Sequence, residues 1–361
     1  MNLSHIANAR LANQQIASAK FKKPKDLVAY MGAIQSQDYA MSKWAIGLRL
    51  PGSTEKQIEN VLDKGEIIRT HVLRPTWHII TAADIYWMLA LSADKIKSLM
   101  KTMNRQLELS EKIFTKSNAV IEKALGEGKH LTREALLSWF EKAKIPTHSN
   151  RLSHMLLRAE LEGIACSGKM DGNKKTYALL SERVPKKKVL SKEESLALLA
   201  KKYFTSHGPA TIEDFSWWSG LSLTNARLGL EMVKSNFIFE KINGLGYWFN
   251  NDLQWPVKNR SSVHLLPAYD EFIISYKNRA ASLAAEHHKR TLTMNGIFHP
   301  VIIVNGQVAG LWKRSVQKNT VHVETNFFQP QNKITRALIE KQAKVFGNFT
   351  EMKVTISHRA Y

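Results

Sequence analysis

The chain has 361 residues, 44% hydrophobic and 23% charged, with 52 Lys and Arg against 31 Asp and Glu, for a formal net charge of +21. Such a balance belongs to a folded protein rather than a disordered one, and no window approaches the roughly 18 apolar residues of a membrane-spanning helix. Cys166 is the sole cysteine, which excludes disulfides, iron–sulfur clusters and thiolate zinc sites within one chain and fits a reducing compartment.

Basic residues recur along the whole chain, from Lys20, Lys22 and Lys23 to Lys313 and Arg314. A membrane surface would favour one amphipathic basic helix, so the expected polyanionic partner is nucleic acid. The N-terminal stretch Met1 to Lys20 lacks the continuous apolar run of a secretory signal, and a cytoplasmic, nucleoid-associated protein is expected.

The elements predict an α+β protein in which one order of events recurs: helix, second helix, then short β-prone runs around a turn. That order is a winged helix-turn-helix. The first copy has helices near Ile6 to Lys20, Lys25 to Gly32 and Thr54 to Lys64, then strands around Ile67 to Val72 and Thr76 to Ile80 with Pro75 at the reversal. In the second, Leu131-Thr132 opens a helix through Ala143, and Ser149 is expected to cap another through Glu162. A hairpin follows, Ile164 to Ser167 and Lys174 to Leu180, around Asp171-Gly172-Asn173. Pro185 with Lys186-Lys187-Lys188 reads as a linker.

Ser191-x-x-Glu194 is a capping box that starts the third copy. Thr211-x-x-Asp214 caps a helix through Trp218, Ser222 to Ser235 forms the next, and Phe237 to Phe249 makes a hairpin at Asn243-Gly244. After Trp255-Pro256 the pattern turns to β: Ser262 to Leu266, Gly296 to Val304, Gln307 to Trp312 and Thr320 to Phe327, with a turn at Asn305-Gly306. A helix from Gln331 to Val345 and a strand from Lys353 to Ser357 complete a small barrel or sandwich. The expected domains are three winged helices, 1–105, 106–185 and 186–255, and a β-barrel-like domain, 256–361.

Fold alone does not choose between a DNA reader and an enzyme. Gln35-Ser36-Gln37 puts two neutral amides two residues apart, on one face if the backbone is extended, where one amide oxygen can accept from a water while an amide nitrogen donates to it or to a phosphate. Asp38 is the adjacent carboxylate, in support, as a helix cap or as a solvated acid. Arg69, His71, Arg74 and His78 alternate with apolar residues, as on a strand laid along a phosphate backbone, or equally on a solvated hairpin face. Lys277, Arg279, Lys313 and Arg314 are further candidates for phosphate contact.

Other residues read as structure. His130, His148 and His154 are scattered and His287-His288 are adjacent, so no metal site is expected. Asp270-Glu271 lacks the further acids a metal-dependent nuclease needs and reads as scaffold at the end of the β domain. Trp217-Trp218 and Trp312 read as core rather than as stacking platforms, and Cys166 as a buried side chain.

Four stretches, in order, resemble one family. Gly32-Ala33-Ile34-Gln35-Ser36-Gln37-Asp38 is similar to the catalytic Gln-x-Gln segment of the AlkZ-like winged-helix DNA glycosylases, bacterial proteins that excise alkylated bases and unhook interstrand crosslinks. Arg69-Thr70-His71 with Leu73-Arg74-Pro75-Thr76-Trp77-His78 resembles the strand pair that follows it. Leu265-Leu266-Pro267-Ala268-Tyr269-Asp270-Glu271-Phe272 with Tyr276-Lys277-Asn278-Arg279, and His299-Pro300-Val301-Ile302-Ile303-Val304-Asn305-Gly306 with Gly310-Leu311-Trp312-Lys313-Arg314, resemble its C-terminal β domain. The resemblance implies three winged helices and a β-barrel around a DNA channel, Gln35 and Gln37 as catalytic residues, no cofactor, double-stranded DNA with alkylated bases as partner, and a monomer without an obligate protein partner.

Excision of a base leaves positive charge developing on the sugar, which most glycosidases meet with two carboxylates. Neutral glutamine is no strong base near pH 7. A site built on Gln35 and Gln37 therefore suits a leaving group already activated by its own positive charge, an N7- or N3-alkylpurine, and a monofunctional hydrolysis. The alternatives are a non-catalytic winged-helix DNA-binding protein or transcription regulator and, less well suited to winged helices, an RNA-binding protein.

Overall fold

A computed structural model describes residues 2–186, 190–253 and 261–359. Lys187 and Lys188 of the expected linker, and the expected boundary at Trp255-Pro256, lie outside the described residues. The chain forms two units, Met1–Glu59 with Leu196–Tyr361, and Asn60–Ser195. The expected first segment, 1–105, is thus divided after Glu59.

In the first unit, Leu3–Asn13 is helical and buried on almost every side, with Asn2 accepting from the His5 backbone N–H at 3.0 Å. It stops short of the expected Lys20 because Gln15 takes a left-handed φ of 62°, which a helix does not accommodate. Pro24–Met31 begins on a proline and ends at Gly32, whose φ of 79° favours glycine. Ile34–Gln35 is extended, and a helix that the sequence did not announce, Tyr39–Gly47, follows with Asp38 as its cap. Met41 through Gly47 are all buried, so this helix has no polar stripe to give it a period.

The five-stranded sheet of this unit runs, in spatial order, Lys353–His358, Thr320–Phe327, Gln307–Gln317, Val301–Val304, Val263–Leu266. Only the first pair is parallel. The sheet is open: its two outer strands do not pair, so the expected barrel does not close. The inward alternation Val321, Val323, Thr325, Phe327 instead faces a core, and the long helix Lys333–Thr350 offers it a stripe of Thr335, Ile339, Ala343 and Phe346.

Four aromatic side chains bind this layer together. Trp44 from the Tyr39–Gly47 helix lies 5.1 Å from both Phe346 and Phe349, and its indole N–H donates to the Leu265 carbonyl at 2.8 Å. Trp312 lies 5.2 Å from Phe346 and donates to the Leu266 carbonyl at 2.7 Å. Both tryptophans are core, as the sequence indicated for Trp312.

The helices Lys192–His207, Ile212–Ser219 and Leu223–Glu231 lead into the hairpin Phe237–Ile242 and Leu245–Asn250. Thr211 and Asp214 form the expected capping box, each side chain bonded to the other's backbone N–H at 3.1 Å. Asn243 and Gly244 turn the hairpin with φ of 50° and 80°, a pair of positive angles that suits the twist of antiparallel strands.

In the second unit, Ile67–His71 pairs antiparallel with Trp77–Thr81. The helices Ile85–Leu99, Lys101–Gln106 and Glu111–Leu125 come next. Arg133–Lys142 and Arg151–Leu161 pack with Glu111–Leu125 around Phe114, Ile121, Leu136, Phe140, Met155 and Leu156. A three-stranded sheet, Leu131–Thr132, Thr176–Leu179, Ala165–Ser167 in spatial order, lies beside them. Thr132 caps its helix as expected, accepting from Ala135. Ser149 does not cap the next: it takes a φ of 55°, and Asn150 holds the cap position without a side-chain bond.

Candidate active site

Gln35 and Gln37 lie between two helix boundaries that fix the chain on either side. Gly32 ends the preceding helix, and Asp38 starts the next by accepting the Met41 backbone N–H at 3.0 Å. Of the readings open for Asp38, the cap is the one its contacts describe. Between them Ser36 turns inward, its hydroxyl 2.8 Å from that of Ser42. Gln35 is buried and Gln37 exposed.

The backbone N–H of Gln35 donates at 2.6 Å to Oε1 of Glu271, a fully buried carboxylate. Its other oxygen, Oε2, accepts from the Trp218 indole N–H at 3.0 Å and from the Ser275 hydroxyl, and His207 Nε2 stands 3.7 Å away. Burial would raise this carboxyl, but the neighbouring His207, the Ser275 hydroxyl and the Gln35 N–H outweigh it and hold it at about 2. Burial lowers His207 in turn, opposed by Glu271, and its ring stacks on Tyr203 at 4.9 Å. Trp218 is core as expected, although its indole N–H carries a polar duty, whereas Trp217 is exposed and not core, its indole N–H donating to the Ile274 carbonyl at 2.9 Å.

Two buried ion pairs brace this region. Arg49 meets both oxygens of Asp270 at 2.9 Å and also donates to the Gln14 carbonyl, the Gln14 side chain and the Ala45 carbonyl. Asp270 in turn caps Glu271–Ile274 by accepting from the Phe272 N–H at 2.9 Å. Arg10 pairs with Asp214 at 3.5 Å and lies 3.5 Å over the Tyr276 ring. Asp270-Glu271 is scaffold, as its sequence indicated, and the two acids have separate partners: one holds Arg49, the other Gln35.

The basic candidates fall into two groups. Arg69, His71 and His78 are buried and Arg74 half-buried, so the Ile67–His71 strand is covered on both faces and presents no open basic face. Arg69 lies 4.1 Å over the Trp77 ring, His71 Nδ1 is 2.5 Å from the Glu160 carboxylate, and His78 Nδ1 is 3.0 Å from the Thr76 carbonyl with Arg74 3.5 Å from its other nitrogen. Lys277 and Lys313 have exposed side chains, and Arg314 is half-buried. Arg279, also half-buried, donates to the Ile273 carbonyl at 3.0 Å and lies 5.0 Å over Phe298.

Cys166 is buried, and burial pushes its thiol up to about 12, the state of an inert core residue. Among the described residues, no three His, Cys, Asp or Glu side chains are grouped to hold a metal ion, and no helix is long and apolar enough to cross a membrane. Sequence reasoning missed Gln14, Arg49, His207 and Ser275 as members of the support around Gln35. Asp270-Glu271, two adjacent acids in an apolar run, was the one signal that led toward it.

The chain belongs to the DNA glycosylase AlkZ-like family, whose family model matches residues 28–349. Among individual relatives, the "Interstrand DNA cross-link repair glycosylase" of Streptomyces sahachiroi is 21% identical over 327 residues, covering 84% of this chain and 85% of the relative. The solved structure of Streptomyces sahachiroi DNA glycosylase AlkZ is similar with a TM-score of 0.82 at 18% identity, over 99% of this chain and all of that one.

Proposed function

We propose that this protein is a monofunctional DNA glycosylase that hydrolyses the N-glycosidic bond of cationic N7- and N3-alkylpurines in duplex DNA, and that Gln35 and Gln37 hold the attacking water. Membership of the DNA glycosylase AlkZ-like family carries the reading, and the Gln-x-Gln pair in this chain gives it a chemistry. The relative's description as an interstrand crosslink repair enzyme supports extending the substrate to purines crosslinked through the same cationic positions.

A cationic purine takes the bonding electron pair from C1′ and leaves neutral, so no strong acid is needed for the leaving group. A water then bonds to C1′ and gives up a proton to solvent. The amides hydrogen-bond that water and orient it, a contribution of positioning rather than of proton abstraction. The lysine that the Tyr39–Gly47 helix supplies, Lys43, is held between Glu55 and Glu59, which is not the environment of an amine free to form a Schiff base.

We read the helix, helix and hairpin orders of 106–185 and 186–255, and the first segment 1–105, as winged helices that present the basic surface to duplex DNA as a monomer. Lys277, Arg279, Lys313 and Arg314 are our candidates for phosphate contact, together with Arg69, His71, Arg74 and His78 where local rearrangement exposes them.

The test is incubation with a duplex bearing one N7-methylguanine, with spontaneous depurination subtracted. Free base and an alkali-labile abasic site, with no strand break before alkali, are expected. Strand breakage without alkali refutes the monofunctional reading, and an intact lesion under tight duplex binding refutes the enzyme.

A further inference from the structure

We propose that Glu271 is a positioning residue for the glycosylase reaction, clamping the backbone N–H of Gln35 so that the Gln35 side chain leaves the chain in its working direction. The inference rests on the reading of Gln35 as a catalytic residue given above.

Burying a carboxylate is costly unless it is fully hydrogen-bonded, and a single backbone N–H in an apolar core is satisfied by any neutral carbonyl. A charged acceptor here makes the bond shorter and about twice as strong as a neutral one, as its 2.6 Å length records. The other oxygen is pinned by the Trp218 indole, from the Ile212–Ser219 helix, and by the hydroxyl of Ser275, which closes the same turn that carries Glu271. The turn carrying Glu271 is itself fixed by the Asp270 cap and the Arg49 fork. Both oxygens of this carboxylate are thus engaged, Oε2 by Trp218 and Ser275 with His207 Nε2 3.7 Å away, and Oε1 by the Gln35 N–H. A side chain that has to place a water within a few tenths of an ångström needs a backbone so fixed, because about 1 Å of misplacement costs on the order of 100-fold in rate.

The experiment is a double-mutant cycle on the full chain: wild type, Gln35→Ala, Glu271→Gln and the double variant. Single-turnover release of N7-methylguanine is read at saturating enzyme, alongside the Kd for an undamaged duplex. Gln35→Ala keeps the backbone N–H, so the Glu271 contact survives in it. Glu271→Gln is expected to slow release by about 100-fold with Kd within about twofold, and the double variant to be no slower than the slower single variant, since both act on one side chain.

A wild-type rate in Glu271→Gln, a loss matched by weakened duplex binding, or losses that multiply in the double variant overturns the proposal. A wild-type rate in Gln35→Ala is a different failure, that of Gln35 as a catalytic residue. If Glu271→Gln does not fold, Ser275→Ala removes a single donor from Oε2. A roughly tenfold slower release with unchanged Kd is then expected, and an unchanged rate overturns the inference.

Discussion

Asp270→Asn exchanges one oxygen for an NH2 group without changing shape, and the structure sets its cost. Arg49 is completely buried, and its five N–H bonds are all spent: Nε on the Gln14 carbonyl, one terminal nitrogen on Ala45 and Asp270, the other on the Gln14 side chain and Asp270. In the variant one of the two 2.9 Å contacts faces a donor with a donor, and the guanidinium loses its compensating charge in a dry core. Breaking a buried pair from one side costs about 3–5 kcal/mol, most of it for the stranded charge rather than the lost bonds. The measurement is urea unfolding followed by tryptophan fluorescence, since Trp44, Trp218 and Trp312 are buried in the same unit, with stability taken from midpoint and slope. A loss under about 1 kcal/mol refutes the view that Asp270 neutralises Arg49.

Three further outcomes follow from particular sites. His264 is buried, and desolvation, then the nearby Arg49 charge, lowers it from 6.5 to about 4 against the opposing pull of Asp270; the unfolded chain therefore takes up its proton first. Stability should fall as pH drops from about 6.5 to about 4, by about 3 kcal/mol at 1.4 kcal/mol per pKa unit. His264→Gln should flatten that part of the pH profile, and an unchanged slope contradicts the assignment. A Cβ on Gly310 would stand 2.5 Å from the Asn326 carbonyl oxygen and 2.8 Å from the Phe327 Cα, both backbone, so Gly310→Ala should lower the urea midpoint by an equivalent of about 1–3 kcal/mol; an unmoved midpoint shows that the strand gives way freely. Lys277→Ala and Lys313→Ala should each weaken binding to undamaged duplex and reduce the slope of log Kd against log salt by about 1, whereas a slope equal to wild type removes that lysine from the interface.

What was legible in the sequence was mostly local. Ser191 and Glu194 exchange the two bonds of their capping box at 2.7 and 3.1 Å, and Asn305-Gly306 turns with φ of 50° and 83°, because such motifs are satisfied within four residues. The Tyr39–Gly47 helix escaped because a helix buried all round shows no period. Ile85–Leu99 escaped because Asp84, at its start, bonds the Thr81 hydroxyl and the Trp87 indole instead of making a cap. The barrel expectation failed on a long-range matter: alternation in Thr320–Phe327 states which face is inward, not which edges meet or that a helix fills the concavity.

The site divides in the same way. Gln-x-Gln could be read from seven contiguous residues, whereas the helix that Asp38 caps could not, so its cap role was only one of several open readings. The Glu271 contact with Gln35 joins residues 236 apart, so nothing local marks it. At Arg69, His71 and His78 alternation described a strand correctly but could not say that its polar face is buried as well, His71 against Glu160.

The most direct test of the central claim is the single-turnover release of N7-methylguanine by wild type and by Gln37→Ala, read as alkali-labile sites above the spontaneous background. Gln37 is exposed and its neighbours hold the segment without it, so the variant should fold and bind duplex as wild type does. Rapid release by wild type that falls by about 100-fold or more in Gln37→Ala is what a glutamine-held water predicts. Equal release by the two proteins contradicts it.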